Sequence, residues 1–115
     1  ATCHHNDPKL MDLAKQFTQQ NPYGRPWMFY LWGHSYEFEA NDNWHVIEEF
    51  AEYLGGRDDI WYATNIEIHD YVKAWYQLQF SADGHRAYNP TAICLYLRTW
   101  GNTYTLEPGK ETLIG

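Results

Sequence analysis

The feature that most constrains this chain is the stretch at 27–38, which reads WMFYLWGHSYEF. It begins with six consecutive apolar residues, and their number and aromatic content predict a strand over 27–33 that is buried on both faces. Gly-His-Ser follows at 33–35 and places the imidazole of His34 at the carboxyl end of that strand. Ligands bind at this end of the strands in α/β sheets. The stretch therefore predicts a parallel sheet with His34 at its ligand-binding edge.

Helical and extended patterns alternate over the first two thirds of the chain. An Asp-Pro pair at 7–8 is typical of a helix start, and turn residues at 21–26 end that helix. A second helix is expected to close at Gly-Gly 55–56. The apolar run at 60–64 predicts another buried strand, and Asn65 is expected to cap a third helix. This alternation with short connectors indicates a parallel sheet with covering helices.

The last third has a different pattern. Asp83-Gly84 predicts a hairpin, and two further strands are expected at 93–98 and 103–106 around a Gly-Asn turn. These strands form a C-terminal antiparallel β appendage. Two parallel strands are too few for a closed barrel of eight βα units. We therefore expect one α/β domain over 1–115 with a partial, barrel-like parallel sheet, whose open edges favour a homodimer or higher oligomer.

The composition narrows the classes of partner. The 15 acidic and 8 basic side chains give a net charge of −7, which disfavours binding to nucleic acid. No run of apolar residues reaches the length of a membrane span, and no signal peptide is visible, so the expected location is cytoplasmic or secreted after processing. Cys3 and Cys94 match no zinc-binding spacing and are expected to be free thiols, with one disulfide as the alternative.

Several side chains near His34 are candidates for chemistry. An imidazole with a pKa of about 6.5 can give and take a proton near neutrality. If 36–39 is extended, Glu37 and Glu39 share one face about 6–7 Å apart, a spacing that suits the paired carboxylates of a glycoside hydrolase. The alternative is that these two carboxylates belong to a solvated strand face.

Two further groups of residues suggest ligands. His4 and His5 lie near the start of the chain and can bind copper or zinc, although adjacent residues of a strand point to opposite faces. The alternative is a solvated turn. Trp32 lies beside His34 at the strand end and Trp44 lies where exposure is expected, and both rings can stack on sugars, with a core or interface role as the alternative. Tyr36, also near His34, is a further candidate for substrate binding.

The chain resembles the C-terminal part of the NodB-homology polysaccharide deacetylases, carbohydrate esterase family four. The similarity rests on TCHHNDP at 2–8, FYLWGHSYEF at 29–38 and GGRDDIWYATNIEI at 55–68, and is extended by FSADG at 80–84 and YNP at 88–90. It implies an incomplete (β/α) barrel that removes acetyl groups from polysaccharides with a divalent metal, usually zinc. It also implies that His34 matches the histidine that acts as general acid on the leaving group.

The N-terminal motifs of that family are absent from this chain. They hold its paired aspartates, its His-x-x-x-His metal ligands and an arginine, so the chain is expected to be a truncated deacetylase or one that has evolved to stand alone. Three functions follow as expectations: a carbohydrate-active hydrolase with His34 as proton-transfer residue, a non-catalytic carbohydrate-binding or scaffold module, or a glycoside hydrolase that uses Glu37 and Glu39. Polysaccharide or oligosaccharide is the expected partner in each case.

Overall fold

A computed structural model describes residues 1–19 and 26–115. The chain divides into two compact units, Ala1–Ile60 and Trp61–Gly115. The helix end and turn predicted at 21–26 lie almost entirely outside the described residues.

In its described residues, the first unit combines a pair of parallel strands with three helices. In chain order its elements are β1 (Thr2–His4), α1 (Leu10–Thr18), β2 (Tyr30–Trp32), α2 (Tyr36–Ala40) and α3 (Trp44–Leu54). β1 pairs with β2 in parallel, with Cys3 opposite Leu31. Because the two strands run the same way, their carboxyl ends meet at one edge, and the residues that follow both strands are brought together there.

Apolar helix faces hold this unit together. Leu10 and Ala14 of α1 are buried, and α1 packs on α3. The Phe29 ring, just before β2, lies between the rings of Phe17 at 5.6 Å and Phe50 at 5.4 Å. Aromatic pairs at these centroid distances add to the burial of their surface. The helix predicted after the Asp-Pro pair and the helix predicted to close at Gly-Gly 55–56 are both confirmed.

The second unit is one helix and two small antiparallel sheets. Its elements are α4 (Asn65–Trp75), β3 (Gln79–Phe80), β4 (Arg86–Tyr88), β5 (Leu95–Thr99), β6 (Asn102–Leu106) and β7 (Glu111–Leu113). One sheet has the order β3-β4-β7 and the other pairs β5 with β6. The buried core consists of Ala74, Ala87, Leu95, Leu106 and Ile114. The antiparallel β pattern and the hairpin predicted for this part of the chain are confirmed.

The N-cap of helix α4 lies one residue earlier than predicted. Thr64, rather than Asn65, is the N-cap, and its side chain accepts a hydrogen bond from the backbone N–H of Glu67. The Glu67 carboxylate reaches back to the Thr64 N–H at 2.6 Å, which completes a capping box. These hydrogen bonds from Thr64 lower the pKa of Glu67 below its ordinary value.

The two strands that form the parallel sheet are not the two that were predicted. The run at 60–64 forms no strand, and Trp61 and Tyr62 within it are exposed. The partner of β2 is instead β1, at the start of the chain. The described residues form a mixed α/β structure with small parallel and antiparallel sheets and no closed barrel.

Two smaller findings complete the description. Cys3 and Cys94 are both free thiols, as expected, and burial raises the pKa of the Cys3 thiol. None of the helices in the described part of the chain has the length and apolar character that crossing a membrane requires.

Candidate functional site

The candidate site lies where β1 and β2 end. In the parallel register His4 is opposite Trp32, and their rings meet edge to face with centroids 4.6 Å apart. The backbone N–H of His5 donates to the carbonyl of Trp32 at 3.1 Å, which carries the pairing one residue further. Both histidines therefore stand beside the segment that follows β2. In a regular strand, the side chains of these two adjacent residues would point to opposite faces.

Gly33 makes room for the ring of His5. A Cβ atom at position 33 would lie 1.9 Å from Cδ2 of His5, and the φ angle of Gly33 is +150°, a value that side chains disfavour. His5 occupies that space and is only 2% exposed, with its ring 4.1 Å from the ring of Phe38. The imidazole of His5 is thus held in a fixed position between β2 and α2.

Gly33→Ala is therefore expected to destabilise the first unit by about 3 kcal/mol, because the new methyl group displaces the buried His5 ring. Chemical denaturation followed by circular dichroism measures the loss. Gly56→Ala is the matched control: Gly56 also has positive φ, but nothing lies within 4 Å of its added Cβ. It should cost only about 1 kcal/mol, from backbone strain. Equal losses in the two variants would contradict the close-packing argument.

Glu37 is the centre of the cluster. Its Oε2 lies 2.5 Å from Nε2 of His5 and 3.2 Å from Nε2 of His4, and it also accepts the backbone N–H of His34 at 3.0 Å. The hydrogen bond from His34 and then that from His5 lower the pKa of Glu37. The Glu37 side chain is 24% exposed, so solvent reaches the cluster from one side.

Asn6 sets the orientation of both imidazoles. Its Oδ1 lies 3.0 Å from Nδ1 of His5 and also accepts from Nδ2 of Asn43 at 3.1 Å. An amide oxygen can only accept, so Nδ1 of His5 carries a hydrogen in this arrangement. The backbone N–H of Asn6 donates to Nδ1 of His4 at 3.1 Å, which leaves the hydrogen of a neutral His4 on Nε2.

His34 lies at the carboxyl end of β2, as predicted, and is exposed. Its ring stacks on that of Tyr36 with centroids 5.3 Å apart and planes 16° from parallel. Besides the bond from its N–H, its carbonyl accepts the backbone N–H of Glu37 at 3.1 Å. The main chain of His34 is therefore clamped on both sides while its imidazole stays open to solvent.

The aromatic candidates are also at this edge of the unit. Trp32 is 53% exposed and Tyr36 is 68% exposed. Trp44 is exposed as well; its ring packs on Phe38 at 5.1 Å, and its Nε1 donates to Glu39. The exposure predicted for Trp44 is confirmed, whereas the exposure of Trp32 shows that the strand predicted over 27–33 is not buried on both faces.

Glu37 and Glu39 do not form the predicted pair on one strand face. Residues 36–40 are the helix α2, and residues two apart on a helix are turned about 200° from one another. Glu37 is bound to the histidines, whereas Oε2 of Glu39 accepts from Trp44 Nε1 at 3.0 Å. The extended geometry on which the glycoside hydrolase interpretation depended is therefore wrong, and that function is not proposed.

Sequence reasoning missed two parts of this site. It named His4 and His5 as possible metal ligands, with a solvated turn as the alternative, but it did not predict the strand β1 that ends at His4, and it gave no role to Asn6. The β-branched Thr2 and the apolar Cys3, followed by turn residues at 6–8, were the available signal for a short strand. The contact of His5 with Glu37 joins residues 32 positions apart, and no local pattern shows it.

A divalent metal is what the family resemblance implies, and the ligands that bind it in that family lie in motifs absent from this chain. His4, His5 and Glu37 nonetheless each offer one ligand atom, and these atoms lie within 4.8 Å of one another. Two imidazole nitrogens with one carboxylate oxygen are a donor set that zinc uses in proteins. These residues fit such an ion by the chemistry of their donors.

Comparison with known proteins identified no relative. No protein-family model, curated protein or solved structure matches this chain.

Proposed function

We propose that this chain acts on polysaccharide as a hydrolase of the polysaccharide deacetylase type, with His34 as its proton-transfer residue. The observation that carries the proposal is the placement of His34. Its exposed ring stacks on Tyr36 at the end of a parallel strand pair, while Glu37 fixes its backbone. The substrate class comes from the resemblance of the motif around His34 to that family.

The proposed role of His34 follows from the chemistry of deacetylation. When water adds to the acetyl carbonyl and the C–N or C–O bond breaks, the departing sugar nitrogen or oxygen must gain a proton. An exposed imidazole can supply that proton near neutral pH. The clamped backbone limits the positions that the ring can take, which helps to keep the donor near the leaving group.

The exposed aromatic rings support a sugar as the ligand. Trp32 and Tyr36 lie within four residues of His34 and present wide apolar faces to solvent. Contiguous exposed apolar surface is a common feature of ligand-binding sites. The rings also carry a polar atom that can hydrogen-bond a hydroxyl group. The acidic charge of the chain favours a neutral or cationic polysaccharide over a polyanion.

The same rings support a second candidate, a non-catalytic carbohydrate-binding module. The exposure of Trp32, Tyr36 and Trp44 is the specific observation in its favour, because stacking on sugars needs no proton donor. The two candidates differ in what His34 does, and they share the requirement for Trp32.

The test measures binding and turnover on one purified sample of the full chain. Affinity electrophoresis in gels that contain acetylated xylan or chitin oligomers reports binding, and released acetate reports hydrolysis. Trp32→Ala is expected to weaken binding about fivefold to tenfold through the loss of one stacking surface. Trp100, a tryptophan of the second unit, is 60% exposed against 53% for Trp32, so Trp100→Ala is the matched control and should bind as the wild type does.

The outcomes separate the candidates. Acetate release that depends on His34 supports the hydrolase. Binding that depends on Trp32, with no acetate release by the wild type, would replace it with the binding module. If the wild type neither binds nor hydrolyses these polymers, both candidates are wrong.

A further inference from the structure

We propose that His4, His5 and Glu37 bind one divalent transition-metal ion, with Zn²⁺ the best match to their donor atoms. One ligand atom from each residue lies within 4.8 Å of the other two. The histidines come from the end of β1 and the residue after it, and Glu37 comes from α2. The site is thus assembled by tertiary structure and not by one flexible segment. Metal binding by these three residues requires neither sugar binding nor acetate release.

His5 is already oriented as a metal ligand. Metal-bound histidines commonly donate their second ring N–H to an oxygen, which fixes the tautomer and the ring plane. Nδ1 of His5 has such a partner in Asn6 Oδ1 at 3.0 Å, so that Nε2 is the ring nitrogen that faces the cluster, where a proton or a metal ion can join it to Glu37. Gly33 and Phe38 hold the ring from its sides, and little side-chain freedom remains to be lost when an ion binds.

The contact between His5 and Glu37 calls for a positive charge between the two atoms. With the hydrogen of His5 on Nδ1, the lone pair of Nε2 would face a carboxylate oxygen at 2.5 Å. Either a second proton on His5 or a cation removes that repulsion. An ion with ligand distances of about 2.0–2.1 Å needs the two atoms about 3 Å apart or slightly more. The Glu37 side chain is partly exposed and can turn to open that gap.

His4 is the weakest of the three donors. Its Nδ1 accepts the N–H of Asn6, so its Nε2 carries a hydrogen that points to Glu37. Metal binding through Nε2 requires this hydrogen to move to Nδ1, and the Asn6 amide then turns to solvent or to another acceptor. That rearrangement offsets part of the gain from the new bond. Loss of His4 should therefore weaken metal binding less than loss of Glu37.

Isothermal titration of the full chain with ZnCl₂ at pH 7.5, in a buffer without chelators, tests the site. One equivalent is expected to bind. Glu37→Gln should lower the affinity more than about tenfold, and His4→Ala by a smaller factor. Asn6→Ala, which removes the oxygen that orients His5 and with it the hydrogen bond from Asn43, should lower it about tenfold. The double variant His45→Ala/His69→Ala is the control, because both residues are exposed and lie outside the cluster.

Co²⁺ absorption gives a second readout that needs no turnover, since a ligand field of two nitrogens and one oxygen changes the visible spectrum on binding. Circular dichroism of each variant checks that the fold is kept, and His4→Ala keeps the test decisive because that side chain is only partly buried. Saturation at one equivalent with the expected order of variants supports the site. Absence of saturable binding, or wild-type affinity in both Glu37→Gln and His4→Ala, would show that the cluster holds only protons.

Discussion

Replacing His34 with alanine is expected to lower the rate of acetate release from acetylated oligosaccharides by about 10²–10⁴-fold, the range that general acid catalysis contributes. The imidazole is exposed and its removal leaves no cavity, so the variant should fold as the wild type does. The contacts of His34 with Glu37 are made by the main chain of His34, so they remain when its side chain is removed and the turn after β2 is kept. Rate assays at saturating substrate measure the effect.

Two controls make this result specific to proton transfer. His45→Ala removes another exposed histidine of the same unit and should leave the rate unchanged. His34→Gln keeps a polar side chain of similar reach but cannot transfer a proton, and it should be as slow as His34→Ala. A His34→Gln variant with wild-type turnover would remove His34 from the mechanism.

Asn89→Ala is expected to destabilise the second unit by about 3 kcal/mol or more. The side chain is fully buried, and its Nδ2 donates to the carbonyls of Ile93 and Leu106, both at 2.8 Å. Its Oδ1 accepts from the backbone N–H of Thr91 at 3.0 Å and from the Thr91 hydroxyl at 2.7 Å. Alanine leaves these partners inside the protein without their hydrogen bonds, and each such loss is costly.

Urea denaturation followed by circular dichroism measures this loss, and two variants locate its cause. Asn89→Asp keeps the size of the side chain but removes both donors, so most of the destabilisation should remain. Thr91→Val removes the hydroxyl that bonds to Asn89 and to the backbone of Ile93, but it leaves the bonds that Asn89 donates to Ile93 and Leu106, and it should cost about 1 kcal/mol. A small effect of Asn89→Ala, no larger than that of Thr91→Val, would contradict this account.

The sequence predicted the parts of the fold whose periodicity reflects burial on one face. The helices α1 and α3 and the hairpins of the second unit follow from their apolar spacing and turn residues. The segment at 36–39 alternates like a strand but folds as α2. A strand would bury Tyr36 and Phe38 on one face, whereas the helix buries Phe38 against His5 and leaves Tyr36 exposed. The hydrogen bond that the His34 N–H donates to the Glu37 carboxylate further stabilises the helical turn.

The strand predicted at 60–64 failed for a different reason. A strand needs a partner for its backbone groups, and a short apolar run does not say whether one exists. Here Trp61 and Tyr62 are exposed and the run pairs with no strand of the described chain. The three residues of β1, which do pair, are too few for a periodic signal. The cluster of His4, His5 and Glu37 depends on that pairing. The sequence alone therefore does not show that these three residues lie together.

The cluster of His4, His5 and Glu37 forms only when β1 and β2 pair, and that pairing costs conformational entropy of the chain. Thr2 pairs with Tyr30, so the two strands meet only after a long loop has closed. The entropy of loop closure is therefore lost before any contact of the cluster forms. The donor atoms are therefore scattered in the unfolded chain and gathered only in the native one. A ligand that needs all three of them binds the folded unit alone, and its concentration then sets how far the folding equilibrium shifts toward that unit.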